Sequence, residues 1–201
     1  MNASAQSAPS NDRSSNRSSD PSSASSADPA RDTRAWFHGA RYTYAVIDGQ
    51  ALPRAEAMLD AAGTAEWGRL PRGAPPFDAV DAWLVQLAPD LPLSHWLLLG
   101  DGARVPNWGA IISSDAPFRE VRQHLRGLME AQLPSGQSLV LRWYRPLVLR
   151  TLLPLCSQSQ LLDFFGPVRA FAVMSGSEWH WLRQLGGKLD LHTVRREPAA
   201  T

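Results

Sequence analysis

Between residues 108 and 168, short apolar runs alternate with segments that have the periodicity of a helix, and this alternation is the strongest constraint on the fold. The apolar runs are residues 110–112 and 139–144. A helical pattern follows each of them, and the second pattern opens at Pro146. The order strand, helix, strand, helix is typical of a crossover α/β unit.

The segment after the first run predicts an amphipathic helix, because its large apolar side chains recur mainly at intervals of three and four residues. Arg119, Arg122 and Arg126 fall on the opposite face. The helix is predicted to end near Ala131, because Pro134 cannot continue it. The residues on the apolar face are Phe118, Val121, Leu125, Leu128 and Met129.

Similar patterns predict further elements along the chain. Trp179 and Trp181 alternate with His180 and Leu182 after a Ser-Gly-Ser turn, which predicts a return strand and an antiparallel hairpin near the C-terminus. Strands that alternate with helices predict an α/β fold with a mixed, partly parallel sheet and helices on both faces. Strands are predicted at residues 42–47, 83–87 and 169–174, and helices at residues 53–62, 92–99 and 158–165.

The composition divides the chain of 201 residues into one domain and two tails. Eleven of the first 26 residues are Ser and no aromatic residue precedes Trp36, so residues 1–35 are predicted to be a disordered tail. Residues 36–192 form the predicted single α/β domain. Residues 193–201 are predicted to be a frayed C-terminal tail.

Charge is unevenly distributed, although the formal net charge is only +1. Residues 46–103 contain eight acidic residues and three arginines, whereas residues 104–150 contain seven arginines and three acidic residues. These charges either solvate separate helix faces or form an electropositive surface that meets an acidic partner. The near-neutral total argues against nucleic-acid binding, for which the arginines of the amphipathic helix and Trp143 would be the candidates.

Signatures of catalysis and of cofactor or metal binding are absent from the sequence. It contains no G-x-S-x-G elbow, no phosphate-binding loop that ends in Gly-Lys-Ser/Thr and no H-E-x-x-H pair. The five histidines lack metal-ligand spacing, and the single Cys156 excludes an intramolecular disulfide and a thiolate metal cluster. We therefore expect no catalytic residues, no cofactor and no metal.

An enzymatic alternative rests on residues at the ends of the predicted strands. If the strands before them run parallel, Asp48, Ser113, Ser114 and Arg145 lie at one sheet edge, where open α/β sheets bind ligands. Together with His124, this set would make a small α/β hydrolase. In the simpler alternative, Asp48 and the serines cap turns and helix starts, and Arg145 is a surface charge.

A partner-binding site is predicted at the end of the second apolar run. Arginine and tyrosine are side chains that often anchor protein interfaces. Arg142 lies inside an apolar run and therefore needs a partner, such as Asp48, or a path outward to solvent. We expect Arg142 to hold the fold and Arg145 to contact the partner. The predicted site comprises Arg142, Tyr144, Arg145, Pro146 and Asp48.

Nothing in the sequence predicts a membrane segment. No apolar run approaches the ~20 residues that span a bilayer. The N-terminus lacks a positively charged flank followed by an apolar core, which a secretory signal would require. We therefore expect a cytoplasmic protein without a membrane partner.

Several spaced motifs run through the central stretch in the order W-G, S-S, H-L-R, P-S-G, L-R-W-Y-x-P and F-G-P, and residues 44–48 precede them. This order resembles the adaptor, or effector-chaperone (Tap/Tec-type), family of the bacterial type VI secretion system over residues 42–173. That family was long known only as a domain of unknown function. The matching residues are Trp108, Gly109, Ser113, Ser114, His124, Leu125, Arg126, Gly136, Arg142, Tyr144, Pro146, Leu149, Phe165, Gly166 and Pro167.

The resemblance implies an adaptor that is not an enzyme and that needs no cofactor. Such a protein would bind the N-terminal region of an effector protein and load it onto the secretion spike, the protein VgrG or its PAAR tip. The sequence departs from the family in one place, because Arg145-Pro146-Leu147 stands where the family usually has Asp-Pro-Arg. We expect partner choice to differ accordingly.

Overall fold

The computed structural model describes residues 33–63, 66–71 and 80–195, which form helices and strands in alternation. The α-helices in these ranges are α1 (Ala55–Ala61), α2 (Pro92–Leu98), α3 (Phe118–Gly127), α4 (Pro146–Leu152) and α5 (Gln158–Phe165). Short 3₁₀ helices span Thr33–Phe37, Asp101–Arg104 and Leu153–Leu155. The strands are β1 (Tyr42–Asp48), β2 (Trp67–Arg69), β3 (Ala82–Leu87), β4 (Gly109–Ser114), β5 (Glu130–Gln132), β6 (Ser138–Val140), β7 (Val168–Ser175), β8 (Glu178–Leu185) and β9 (Lys188–Arg195).

One sheet contains seven of these strands in the order β2-β3-β1-β4-β7-β8-β9, and every neighbouring pair is antiparallel. β5 and β6 form a separate two-stranded arm. The prediction of a partly parallel sheet is therefore wrong. The mixed α/β character is confirmed, and the C-terminal hairpin is observed as β7 paired with β8.

The error in strand direction comes from residues 139–144, which were predicted to form a strand of the main sheet. β6 pairs with β5 in the arm instead. Trp143 and Tyr144 are fully buried core side chains outside any strand, and the Trp143 indole donates to the Leu125 carbonyl (3.2 Å). An apolar run indicates that the segment is buried. Its periodicity does not show which strand the segment pairs with, or whether the pair is parallel or antiparallel.

Helices cover both faces of the sheet, because successive side chains of a strand point to opposite sides. Tyr44 and Val46 of β1 belong to a core shared with α3, α4 and α5. Ala45 and Ile47 belong to a second core, which α1, α2 and the 3₁₀ helices at Thr33–Phe37 and Asp101–Arg104 share. The central strands are therefore apolar on both sides, which is why they read as continuous apolar runs.

The second core is rich in tryptophan. The Trp36 ring lies 4.5 Å from the Trp179 ring in an edge-to-face arrangement and is stacked on Trp181 at 4.6 Å, between centroids. Trp108 meets Trp179 edge-to-face at 6.4 Å. The Thr43 hydroxyl donates to the Trp36 carbonyl (3.3 Å). Trp36 therefore anchors the N-terminal 3₁₀ helix on the sheet.

Both predicted domain boundaries fall close to elements of the structure. Most of the predicted tail, residues 1–32, lies outside the described residues, and Thr33–Phe37 forms a 3₁₀ helix that overlaps its end. At the other end, β9 continues to Arg195, so the first three residues of the predicted C-terminal tail form the end of a strand. Residues 196–201 lie outside the described residues.

Replacing Trp36 with alanine should lower the free energy of unfolding by about 3–5 kcal/mol, as is typical when a buried aromatic side chain is truncated. Urea denaturation followed by circular dichroism measures the effect. Leu155→Ala is the matched control, because Leu155 is 79% exposed, and its change should stay within about 0.5 kcal/mol. Equal stability of the two variants would show that Trp36 contributes nothing to the second core.

Candidate partner-binding site at the Asp48 end of the sheet

Asp48 ends the central strand β1 and is only 1% exposed. Its backbone carbonyl accepts from the amides of Ala51 (3.0 Å) and Leu52 (2.9 Å), and its Oδ1 accepts from the Gln50 amide (3.0 Å). These bonds build the turn after β1. A carboxylate this deeply buried also needs a charged partner, because desolvation of an isolated charge is costly.

Arg145 supplies that partner. Its Nε donates to Asp48 Oδ2 (2.9 Å), and its Nη2 donates to Gln50 Oε1 (2.8 Å). Arg142 donates to the same Gln50 oxygen. Arg142 was expected to need a partner, such as Asp48, or a path outward to solvent. It has a partner in Gln50, but the suggested carboxylate of Asp48 pairs with Arg145 in exchange.

The exchange follows from the backbone between the two arginines. The amide of Arg145 donates to the carbonyl of Arg142 (3.2 Å), so the chain turns there before Pro146 begins α4. The sequence prediction assumed that these side chains point to alternate faces, as they do in a strand. In a turn they do not. Both guanidinium groups consequently reach the same Gln50 side chain, and Arg145 alone reaches the carboxylate.

Tyr144 is fully buried beside this ion pair, and its hydroxyl has no hydrogen-bond partner among the described residues. Burial raises the pKa of Tyr144 above its usual value of 10.0, and the Asp48 carboxylate raises it further, while the positive charges of Arg142 and Arg145 oppose the shift. Pro146 is also buried. Tyr144 and Pro146 therefore support the site from within, and neither presents much surface to a partner.

The hydrolase set is not assembled. In the register of β1 and β4, Tyr42 lies opposite Ser114 and Ile47 lies opposite Gly109, so Asp48 and Ser114 lie at opposite ends of adjacent strands. At ~3.4 Å per residue, they are about 20 Å apart. The Ser114 hydroxyl donates to the Pro167 carbonyl (2.7 Å).

The remaining candidates for catalysis or nucleic-acid binding have structural contacts. His124 Nε2 lies 2.9 Å from the Phe164 carbonyl, as expected for a hydrogen-bonded, partly buried imidazole. Arg122 and Arg126 of α3 donate to the carbonyls of Arg69 and Leu70 at the end of β2. Trp143 is buried in the first core. These side chains therefore join elements of the fold.

A groove of about 220 Å³ lies beside the ion pair. We call it the Leu147 groove, and it is lined by the loop residues Arg104, Val105, Pro106 and Asn107, by Pro146, Leu147 and Arg150 of α4, and by Met174, Ser175 and Gly176 at the end of β7. Leu147 is 73% exposed, and the Arg150 Nη1 donates to the Ser175 hydroxyl (2.8 Å). The groove thus combines apolar walls with arginines.

Sequence reasoning missed this groove, although one signal for it existed. The buried residues of α4 and the following 3₁₀ helix are Pro146, Leu149 and Leu153, and Leu147 lies off that stripe. A large apolar side chain that lies outside the buried stripe of a helix is expected to be exposed, and this was the signal for the groove. Of the two residues that depart from Asp-Pro-Arg, Arg145 turns to Asp48, whereas Leu147 faces solvent.

A larger cavity of about 480 Å³ lies at the opposite end of the sheet, beside His38, Trp181 and two arginines. Both arginines already have acidic partners: Arg169 pairs with Asp115, and Arg183 pairs with Asp190 (2.7 Å). Its charges are therefore satisfied within the protein.

Neither a metal cluster nor a membrane-spanning helix is found among the described residues. No cluster of three or more His, Cys, Asp or Glu side chains there has an arrangement that could hold a metal ion. Within the same ranges, every helix is too short or too polar to cross a bilayer.

Replacing Arg145 with alanine should destabilise the fold by about 1–3 kcal/mol, because it leaves a buried carboxylate without its charged partner. Arg142→Ala should cost less, within about 0.5 kcal/mol, because only a bond to the exposed Gln50 is lost. Urea denaturation of both variants, of Asp48→Asn, and of Arg145→Ala combined with Asp48→Asn measures the coupling between Asp48 and Arg145. A larger loss in Arg142→Ala would restore the roles expected from the sequence.

Replacing Tyr144 with phenylalanine should leave stability unchanged or raise it at neutral pH, because the lost hydroxyl has no partner among the described residues. The pKa of Tyr144 is higher in the folded than in the unfolded protein. Below the unfolded value of 10.0 the phenol is neutral in both states, and folding stability does not depend on its ionisation. As the pH rises above that value, the unfolded state ionises first and the free energy of unfolding falls. Tyr144→Phe should therefore lose less stability above about pH 10 than the parent protein.

Urea denaturation across that pH range tests this expectation. Tyr44→Phe is the matched control, because the Tyr44 hydroxyl donates to the Ala116 carbonyl (2.9 Å), and its loss should cost about 0.5–1.5 kcal/mol at neutral pH. A loss of that size in Tyr144→Phe would show that its hydroxyl is hydrogen-bonded.

Comparison with known proteins gives one match. The model of the family described as "Domain of unknown function (DUF4123)" matches residues 43–162, which run from β1 into α5 and include Asp48, Arg145 and Leu147. No curated protein and no solved structure matches the chain. The matched residues are more than half of the chain, and the family is known as a domain associated with type VI secretion effectors. The chain therefore belongs to the DUF4123 family.

Proposed function

We propose that the protein is a cytoplasmic adaptor of the Tap/Tec type, which binds the N-terminal region of a type VI secretion effector and promotes its loading onto the spike protein VgrG or the PAAR tip. The observation that carries this proposal is the DUF4123 match over residues 43–162. In this proposal the protein performs no chemistry of its own, and it requires no cofactor, nucleic acid or membrane.

The geometry at the Asp48 end of the sheet supports a binding function. Interfaces are anchored by a few aromatic, arginine or apolar side chains near water-excluding pockets. The Leu147 groove offers an exposed leucine and two arginines, Arg104 and Arg150, beside a rigid ion pair. Elements on three sides, the loop at residues 104–107, α4 and the end of β7, would hold such a surface ready for a partner.

The five residues predicted from sequence all belong to the proposed site, but only the arginines are placed to contact a partner. Asp48 and Arg145 set the position of α4, and Tyr144 and Pro146 fill the space beneath its first turn. Arg142 and the exposed part of Arg145 remain available at the edge of the surface. The partner therefore contacts the two arginines from outside, while Asp48 holds Arg145 and Gln50 holds both from inside.

Co-expression of the full chain with the toxin and spike proteins encoded nearest to its gene tests the proposal. We expect an affinity-tagged full chain to retain the toxin, and to bring the spike protein with it. In the host bacterium, deletion of the gene should abolish delivery of that toxin, while secretion of the tube protein continues. Unchanged toxin delivery in the deletion strain would contradict the adaptor function.

A further inference from the structure

We infer that the Leu147 groove binds a segment of the effector that presents one apolar side chain flanked by carboxylates. This inference rests on the proposed function, because it takes the effector as the partner. It adds the place on the adaptor and the chemistry of the bound segment.

The size and walls of the groove fit an apolar side chain. A cavity of ~150 Å³ lined by apolar side chains is large enough to hold benzene, so about 220 Å³ accommodates the side chain of a leucine or a phenylalanine. Val105, Pro106 and Leu147 contribute accessible apolar surface, over the buried side chains of Pro146 and Met174. Leu147 is 73% exposed at this place, and an apolar partner side chain would remove it from water.

The charges of the groove fit carboxylates beside that side chain. Arg104 and Arg150 come from separate segments, and no Asp or Glu is among the described residues that line the groove. Arg104 meets Asp101 at 3.5 Å with both side chains more than half exposed, and ion pairs of this kind contribute little. Arg150 uses Nη1 for Ser175. A guanidinium group carries five N–H donors, so both arginines can bind a carboxylate.

The ends of the given chain do not supply this segment. Residues 1–32 and 196–201 contain no Leu, Ile, Val, Phe, Tyr or Trp, so neither range offers an apolar side chain of the required size. The basic excess of residues 104–150 favours an acidic partner in the same way. Charge and shape together therefore select an acidic segment with an apolar anchor, for which the effector is the proposed source.

Two exposed leucines on neighbouring elements provide a matched pair of variants. Leu147→Asp places a negative charge in the groove, whereas Leu155→Asp places the same charge on a side chain that is 79% exposed and does not line it. Arg150→Glu and Arg119→Glu form a second pair, because both residues are exposed and only Arg150 lines the groove. Circular dichroism and urea denaturation confirm that each variant is folded before binding is measured.

The probe is a fluorescent peptide of about 12 residues with a central phenylalanine between aspartates and glutamates, and its counterpart carries lysines in place of the acidic residues. We expect the acidic peptide to bind the full chain, with an affinity that falls as salt is added. Leu147→Asp and Arg150→Glu should weaken it by about tenfold, and the two control variants should not. Equal affinity for the two peptides, or equal effects of Leu147→Asp and Leu155→Asp, would overturn the inference.

The captured toxin distinguishes this inference from the proposed function. If the toxin binds and the groove variants reduce its affinity about tenfold relative to the controls, both stand. If it binds with the same affinity to all four variants, the adaptor function stands and the groove inference falls. If no toxin is retained, the adaptor function is contradicted. Binding of the acidic peptide then tests separately whether the groove takes an apolar side chain flanked by carboxylates.

Analytical ultracentrifugation of the same variants tests whether a second copy of this chain occupies the groove. If the parent chain is a dimer that Leu147→Asp dissociates and Leu155→Asp does not, the groove joins two copies of this chain, and the inference is overturned. A monomeric parent chain supports an effector segment as the occupant.

Discussion

The ion pair between Asp48 and Arg145 is the interaction on which the candidate site depends. A carboxylate that is 1% exposed loses most of its hydration, and a well-placed guanidinium group compensates for the loss. The two residues are 97 positions apart in the chain, so the pair fixes the end of the central strand against the start of α4. The Gln50 turn and the α4 wall of the groove are both positioned by these two elements.

Local elements could be predicted from the sequence where burial is periodic. α3 begins at Phe118, where its apolar stripe begins, and β1 covers the predicted strand with one added residue. The predicted end of the helix near Ala131 is wrong, because α3 ends at Gly127 and β5 begins at Glu130. β9 could not be predicted, because Leu189 and Leu191 alternate with polar residues over only a short stretch and most of its side chains are exposed. Strand direction could not be predicted either, since pairing is decided by contacts far along the chain and the pattern of one strand contains no information about its neighbours.

At the candidate site, too, local features could be predicted from the sequence and contacts between distant residues could not. The sequence indicated that Asp48, Arg142 and Arg145 need partners, because a carboxylate after a buried strand and arginines in an apolar run are costly to bury alone, and the three residues do meet at one place. It assigned the partners wrongly, since the choice depends on a turn at Arg142 that periodicity does not show. The antiparallel sheet also separates Asp48 from Ser113 and Ser114, so strand direction alone decides against the hydrolase geometry.

The tryptophan contacts in the second core have a spectroscopic consequence. Trp36 comes from the 3₁₀ helix before β1, whereas Trp179 and Trp181 belong to β8, and the ring centroids lie 4.5 and 4.6 Å apart. Indole rings at this separation couple electronically, and their shared transitions give an exciton signal in circular dichroism. The pairs of Trp108 with Trp179 and of Trp67 with Trp83 couple as well, so the part of the signal that is lost when Trp36 is replaced is the protein's own optical reporter of whether this helix lies on the sheet.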